Sequence, residues 1–236
     1  PSVRTSENYN STFSVDADRA AYGYMRKVVN KGSLPQPNSV RIEEYLNYFT
    51  FDYPEPQADA AVAINGEVGE CPWNKAHKLM RLGIKGRSIP VSRFPKANYV
   101  FLIDVSGSMN TSDKLDLLKS GLAMLVDNLN PQDRISIVTY SGTVKLLLES
   151  TLASHSSTIK KASSALAASG STAGGAAMKM AYEECLKNYI EGGNNRVIMG
   201  TDGDFNVGVT STDAILEMAQ DYAAKGIYLT VCGFGT

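Results

Sequence analysis

The sequence predicts an α/β fold: a doubly wound, mainly parallel sheet with helices on both faces, preceded by a separate α+β extension. Three observations predict it. The short, almost wholly apolar runs YVFLIDVS, RISIVTYS, RVIMG and IYLTVCGFG read as strands covered on both faces. Segments with apolar residues three and four apart lie between them and read as helices. This regular alternation begins only near Asn98, behind the proline-containing connector SIPVSRFPKAN.

In chain order, the polar opening PSVRTSENYN reads as a linker and carries no apolar leader. DADRAAYGYMRKVVNKG follows as a helix with Gly32 as its stop. Ile42, Tyr45, Leu46 and Phe49 mark one face of a second helix, with Asn38 or Ser39 as a cap. FDYPEPQ ends it, because proline cannot continue a helix. AAVAINGEV and KLMRLGIKG alternate as the strands of a hairpin around CPWN. Residues 1–95 are thus expected to form the extension and residues 96–236 the main domain. In the latter, Leu115, Leu118, Leu122, Leu125, Val126 and Leu129 form an apolar helix stripe. SGTVKLLLES returns as a hairpin partner of RISIVTYS after Ser141-Gly142. SSTIKKASSALAA, GGAAMKMAYEECLKNY and TDAILEMAQDYAAKG are the remaining helices.

Composition narrows the function. The 236 residues carry a formal net charge of −1, which offers no basic field for a nucleic acid. No run of about 18 apolar residues is present to span a bilayer. The three cysteines, Cys71, Cys185 and Cys232, lack CxxC spacing, so structural zinc is disfavoured. Cys185 and Cys232 read as buried thiols.

In open α/β sheets, ligands bind beyond the carboxyl ends of the strands. Three segments fall there: Asp104-Val105-Ser106-Gly107-Ser108, Gly170-Ser171-Thr172-Ala173-Gly174-Gly175 and Thr201-Asp202-Gly203-Asp204. Together they offer carboxylates and hydroxyls, with no histidine or cysteine. Such hard oxygen donors suit Mg²⁺, Ca²⁺ or Mn²⁺. Gly107 is expected to turn the first loop tightly, so that Ser106 and Ser108 point at one centre; Gly170, Gly174 and Gly175 do the same for the loop of Thr172.

DVSGS after an apolar strand, STAGG before a helix and TDG after a later strand resemble the metal-ion-dependent adhesion site of von Willebrand factor type A domains and integrin inserted domains. The resemblance runs from about Asn98 to Thr236. It implies a Rossmann-like fold and a divalent cation held by Asp104, Ser106, Ser108, Thr172 and Asp202, with Mg²⁺ ahead of Ca²⁺ or Mn²⁺. It also implies that the hydroxyls touch the cation while the aspartates act largely through water, leaving the metal able to take a Glu or Asp carboxylate from a protein partner. No chemistry is implied, only capture. FSVDADRAAY and NSVRIEEYLNYF resemble the extension that precedes such domains in bacterial, often envelope-associated proteins. This implies an extracytoplasmic place, in the periplasm or at the cell surface, with a lipid anchor possible in the full-length protein. The family has a sixth strand and a closing helix after the fifth strand, so a chain stopping at Thr236 is expected to leave IYLTVCGFG as an apolar edge.

Other readings compete. The Asp104 cluster is also what a helix N-cap looks like. Asp104 is also the candidate nucleophile of a Mg²⁺-dependent phosphohydrolase, although Ser106 stands where such enzymes want a second aspartate. Asp202, Asp204 and Asn206 resemble the start of a calcium loop, but Val207 replaces its glycine. A structural domain with a vestigial site completes the alternatives.

Overall fold

The computed structural model describes residue 6 and residues 9–12, 14–170, 175–203 and 212–235. The readings made at Thr172, Asp204 and Asn206 lie outside these residues. The chain divides into two units, Pro1–Ser88 and Ile89–Thr236.

In the first unit, helices α1 (Ala20–Asn30) and α2 (Ile42–Tyr48) precede a hairpin of β1 (Val62–Glu70) and β2 (Lys78–Gly86). Gly32 ends α1 with a φ of 77°, a conformation that glycine adopts without strain. The expected face of α2 is not its buried one: Ile42, Leu46 and Phe49 are all exposed, while Glu44 is buried. The reason is a polar contact that apolar spacing does not register. Glu44 Oε2 accepts the Ala21 N–H at 2.8 Å and so satisfies one of the open donors at the start of α1. Tyr22 packs edge-on against Tyr45 and Phe49, which ties the two helices together. Neither Asn38 nor Ser39 caps α2; its N-cap is Arg41, and the Ser39 hydroxyl bonds the Gln36 carbonyl instead.

The second unit contains a five-stranded sheet in the order β5-β4-β3-β6-β7. Its strands are β3 (Ala97–Asp104), β4 (Arg134–Tyr140), β5 (Val144–Leu152), β6 (Asn194–Thr201) and β7 (Ile227–Gly233). Only β5 runs antiparallel, as the Ser141-Gly142 turn predicts. The other neighbours are parallel, joined through α3 (Leu115–Val126), α4 (Ser156–Ser164), α5 (Gly175–Lys187) and α6 (Thr212–Ala224).

Alternation along β3 splits the core into two layers. Val100 and Leu102 face Ala177, Met178, Ala181 and Tyr182 of α5. Phe101 and Ile103 face Leu115, Leu122 and Val126 of α3 and Ile159 of α4. A strand with helices over both faces must be apolar throughout, which is why YVFLID shows no period of two. One polar exception, Asn98, is fully buried, and its amide donates to the Cys185 carbonyl at 2.9 Å. At the end of the sheet, β7 lies on the edge; Val231 is exposed, and so is Cys232, contrary to its reading as a buried thiol. Side chains along an edge strand have neighbours on one side only, so the edge position expected for this run and the burial read for Cys232 are not compatible. Cys185 is buried as expected.

Candidate functional site

The chain runs from β3 outward to β4 and β5, then returns to the other side of β3 to lay down β6 and β7. The topological switch therefore falls between β3 and β6, where connections leave in opposite directions and open a crevice. Asp104 ends β3, and Thr201 ends β6 beside it with Asp202 just beyond; the register pairs Ile103 with Gly200.

Asp104 is fully buried. Its Oδ1 accepts the Ser106 N–H at 2.8 Å, a side-chain turn that curls the chain back over the strand end. Its Oδ2 lies 3.5 Å from the Thr201 hydroxyl, which in turn accepts the Gly203 N–H at 3.2 Å. Tyr140, the β4 partner of Asp104 in register, is also fully buried. Burial pushes its phenol well above the usual tyrosine range, and the Asp104 charge adds to the rise.

The curl brings the Ser106 and Ser108 hydroxyls within 3.0 Å of each other. Ser106 is buried, while Ser108 is exposed. Between them Gly107 opens a short 3₁₀ turn, Gly107–Met109, and Met109 drops into the core under α3 and α4. Gly107 is not among the positive-φ glycines, so the turn does not use the freedom expected of it. The cap reading does not hold either. The Ser106 side chain caps nothing, and the N-cap of α3 is Lys114. The hydroxyls are left to face one another.

The stretch leading to Thr172 is stitched to the first loop. Ser169 N–H donates to the Val105 carbonyl at 2.7 Å, and Gly107 N–H donates to the Gly170 carbonyl at 3.0 Å. Gly170 has a φ of 78°, which admits glycine and strains other residues. Of the five expected metal ligands, Asp104, Ser106, Ser108 and Asp202 meet at one end of the sheet, and Thr172 lies outside the described residues.

One residue at this site went unread in the sequence. Lys114 Nζ lies 2.9 Å from Asp202 Oδ2 and donates to the Ser108 carbonyl at 2.9 Å. The Asp202 side chain is only 3% exposed, so this ion pair is largely shielded from water. A signal was available: a cation at a helix N-cap opposes the helix dipole, and local rules tend to be broken at functional sites.

The donor set fits a hard divalent cation. It consists of two touching hydroxyls and two shielded carboxylates, and among the described residues no cluster of three or more His, Cys, Asp or Glu offers a rival centre. No described helix is long and apolar enough to cross a membrane.

Comparison with known proteins gives three findings. A family model described as von Willebrand factor type A domain matches residues 99–205, and one described as von Willebrand factor matches residues 1–81. The uncharacterized protein YfbK of Escherichia coli is 38% identical over 242 residues, covering 100% of this chain and 42% of that protein. Human inter-alpha-trypsin inhibitor heavy chain H4 is 32% identical over 154 residues, covering 61% of this chain and 16% of that protein. This chain thus spans less than half the length of these relatives. Among solved structures, the conserved hypothetical protein BatB of Bacteroides thetaiotaomicron is 25% identical with a TM-score of 0.48, covering 58% of this chain and 66% of that one. Manganese-loaded TRAP protein of Plasmodium vivax is 20% identical with a TM-score of 0.49, covering 60% and 58%.

Proposed function

Because this chain belongs to the von Willebrand factor type A domain family, we propose that residues 96–236 form a divalent-cation-dependent binding module that captures a Glu or Asp carboxylate of a protein partner. Ser106, Ser108 and Thr172 would hold the cation through their hydroxyls, and Asp104 and Asp202 would support it. The bound cation supplies a positive centre for an outside carboxylate. Neutral hydroxyls leave most of that charge uncompensated, which is what carboxylate capture needs.

The observation that carries this reading is the pair of serine oxygens. Mg²⁺ demands near-octahedral oxygens at 2.0–2.1 Å, so neighbouring ligands stand about 2.8–3.0 Å apart. The two hydroxyl oxygens stand 3.0 Å apart. Ca²⁺ in its pentagonal-bipyramidal geometry sets neighbouring oxygens at about the same spacing, so the pair suits either hard cation.

Asp104 is poorly placed to be a nucleophile. It is fully buried, one oxygen accepts the Ser106 N–H, and the other faces Thr201. Its role in this reading is to hold the first loop in shape and to lend its negative charge to the cation, largely through water. The test is calorimetric titration of Mg²⁺ with and without a simple carboxylate. Binding that the carboxylate tightens supports capture, and metal binding indifferent to the carboxylate refutes it.

A further inference from the structure

We propose that Lys114 is a built-in competitor for the metal position, a tethered ammonium that occupies Asp202 until a divalent cation displaces it. This rests on the metal-binding reading above and adds a regulator to it.

The crevice holds two carboxylates removed from water, Asp104 and Asp202. Two such charges side by side are costly without a counter-ion. The Lys114 ammonium supplies one, 2.9 Å from Asp202 Oδ2, and links the third loop to the first through the Ser108 carbonyl. The fold makes room for it: a Cβ on Gly235, just beyond β7, would stand 2.8 Å from Lys114 Cε. The lysine departs from Lys114 at the N-cap of α3, where the helix dipole disfavours a cation, so the carboxylate and not the helix holds it there.

A divalent cation served by Asp202 and the serine hydroxyls would stand a few ångströms from this ammonium, and like charges that close repel strongly in a shielded site. The two cations therefore exclude each other. Lysine suits such a role, because its charge rides on a flexible four-carbon stem that can swing to solvent, unlike a forked guanidinium. Displacement also releases the tie between Ser108 and Asp202, so metal binding loosens one link between the first and third loops as it forms others.

The alternative is that Lys114 only pre-positions Asp202. The two roles predict opposite effects on metal affinity. Mn²⁺ alone is titrated into the chain and followed by electron paramagnetic resonance, for wild type, Lys114→Met and Lys114→Arg. Competition predicts that Lys114→Met binds Mn²⁺ about ten-fold tighter or more while its metal-free melting midpoint falls. Lys114→Arg, which keeps the charge, returns affinity toward wild type. Equal or weaker binding by Lys114→Met overturns the proposal and leaves the metal site standing. Absence of Mn²⁺ binding by the wild type overturns both. A second measurement needs no variant: acetylation of individual lysines, read by mass spectrometry with and without Mg²⁺. Competition predicts that Mg²⁺ raises labelling of Lys114 and leaves the exposed Lys78 unchanged. Unchanged or reduced labelling of Lys114 contradicts it.

Discussion

Replacing Asp104 by asparagine separates the fold of the site from its chemistry. The Asp104 carboxylate accepts the Ser106 N–H at 2.8 Å inside a fully buried position. Asparagine keeps the shape and an acceptor oxygen, so Asp104→Asn is expected to change metal-free stability by less than about 1 kcal/mol. Alanine leaves the Ser106 N–H without an acceptor beneath a buried serine, so Asp104→Ala is expected to cost about 1–3 kcal/mol. Adding Mg²⁺ at a hundred times its dissociation constant stabilises the wild type by about 2.7 kcal/mol. For a domain of this size that raises the midpoint by about 5–11 °C. Neither variant should show the increment, because each loses the charge that attracts the cation. The assay is thermal unfolding by far-ultraviolet circular dichroism, in chelator and then in Mg²⁺. Trp73, the single tryptophan, lies in the other unit, so its fluorescence serves as an internal reference. A full Mg²⁺ increment in Asp104→Asn refutes the reasoning, as does a loss of metal-free stability equal to that of Asp104→Ala.

Three further outcomes follow from packing and burial. Gly121 lies inside α3, and a Cβ there would meet nothing within 4 Å. Gly121→Ala is therefore expected to stabilise the second unit by about 0.5–1 kcal/mol, seen as a higher midpoint; an unchanged or lower one contradicts this. Burial pushes the Cys185 thiol up to about 12 and the Tyr182 phenol up to about 12, from ordinary values of 9.0 and 10.0. Folded-state values above the unfolded ones favour the neutral groups, so their contribution is whole below about pH 9 and is lost as pH rises toward 12. The midpoint should fall across that window, and a flat profile contradicts the assignment. In native protein a thiol reagent should modify Cys232 quickly and Cys185 only after denaturation.

Much of the architecture was legible because burial writes itself into residue type. The apolar runs became strands, and the stripe from Leu115 to Val126 became the buried face of α3. DVSGS and TDG fell at the strand ends because turns need small and polar residues, and those same residues make an oxygen-rich site. What escaped were contacts between polar groups distant in sequence. Glu44 reaches α1 across 23 positions, and Lys114 reaches Asp202 across 88. No periodicity records such pairings, because charged side chains look alike whether solvated or shielded. The exposure of Cys232 escaped for a different reason: its apolar run reads as buried on both faces, yet an edge strand, which this run is expected to be, leaves side chains open to water. The glycine at 107 was read for its conformational freedom, yet its N–H donates to the Gly170 carbonyl and fastens the second loop to the first.

The central claim is that a cation at this site exists to take a partner's carboxylate. The most direct test is the calorimetric titration of Mg²⁺ into the chain, in chloride buffer and again in acetate at matched ionic strength. Linkage requires that if metal favours carboxylate, carboxylate favours metal by the same factor. The account predicts tighter Mg²⁺ binding in acetate for the wild type, with both the binding and its enhancement lost in Asp104→Asn. Mg²⁺ affinity that is the same in chloride and acetate, or Mg²⁺ binding that survives intact in Asp104→Asn, would contradict it.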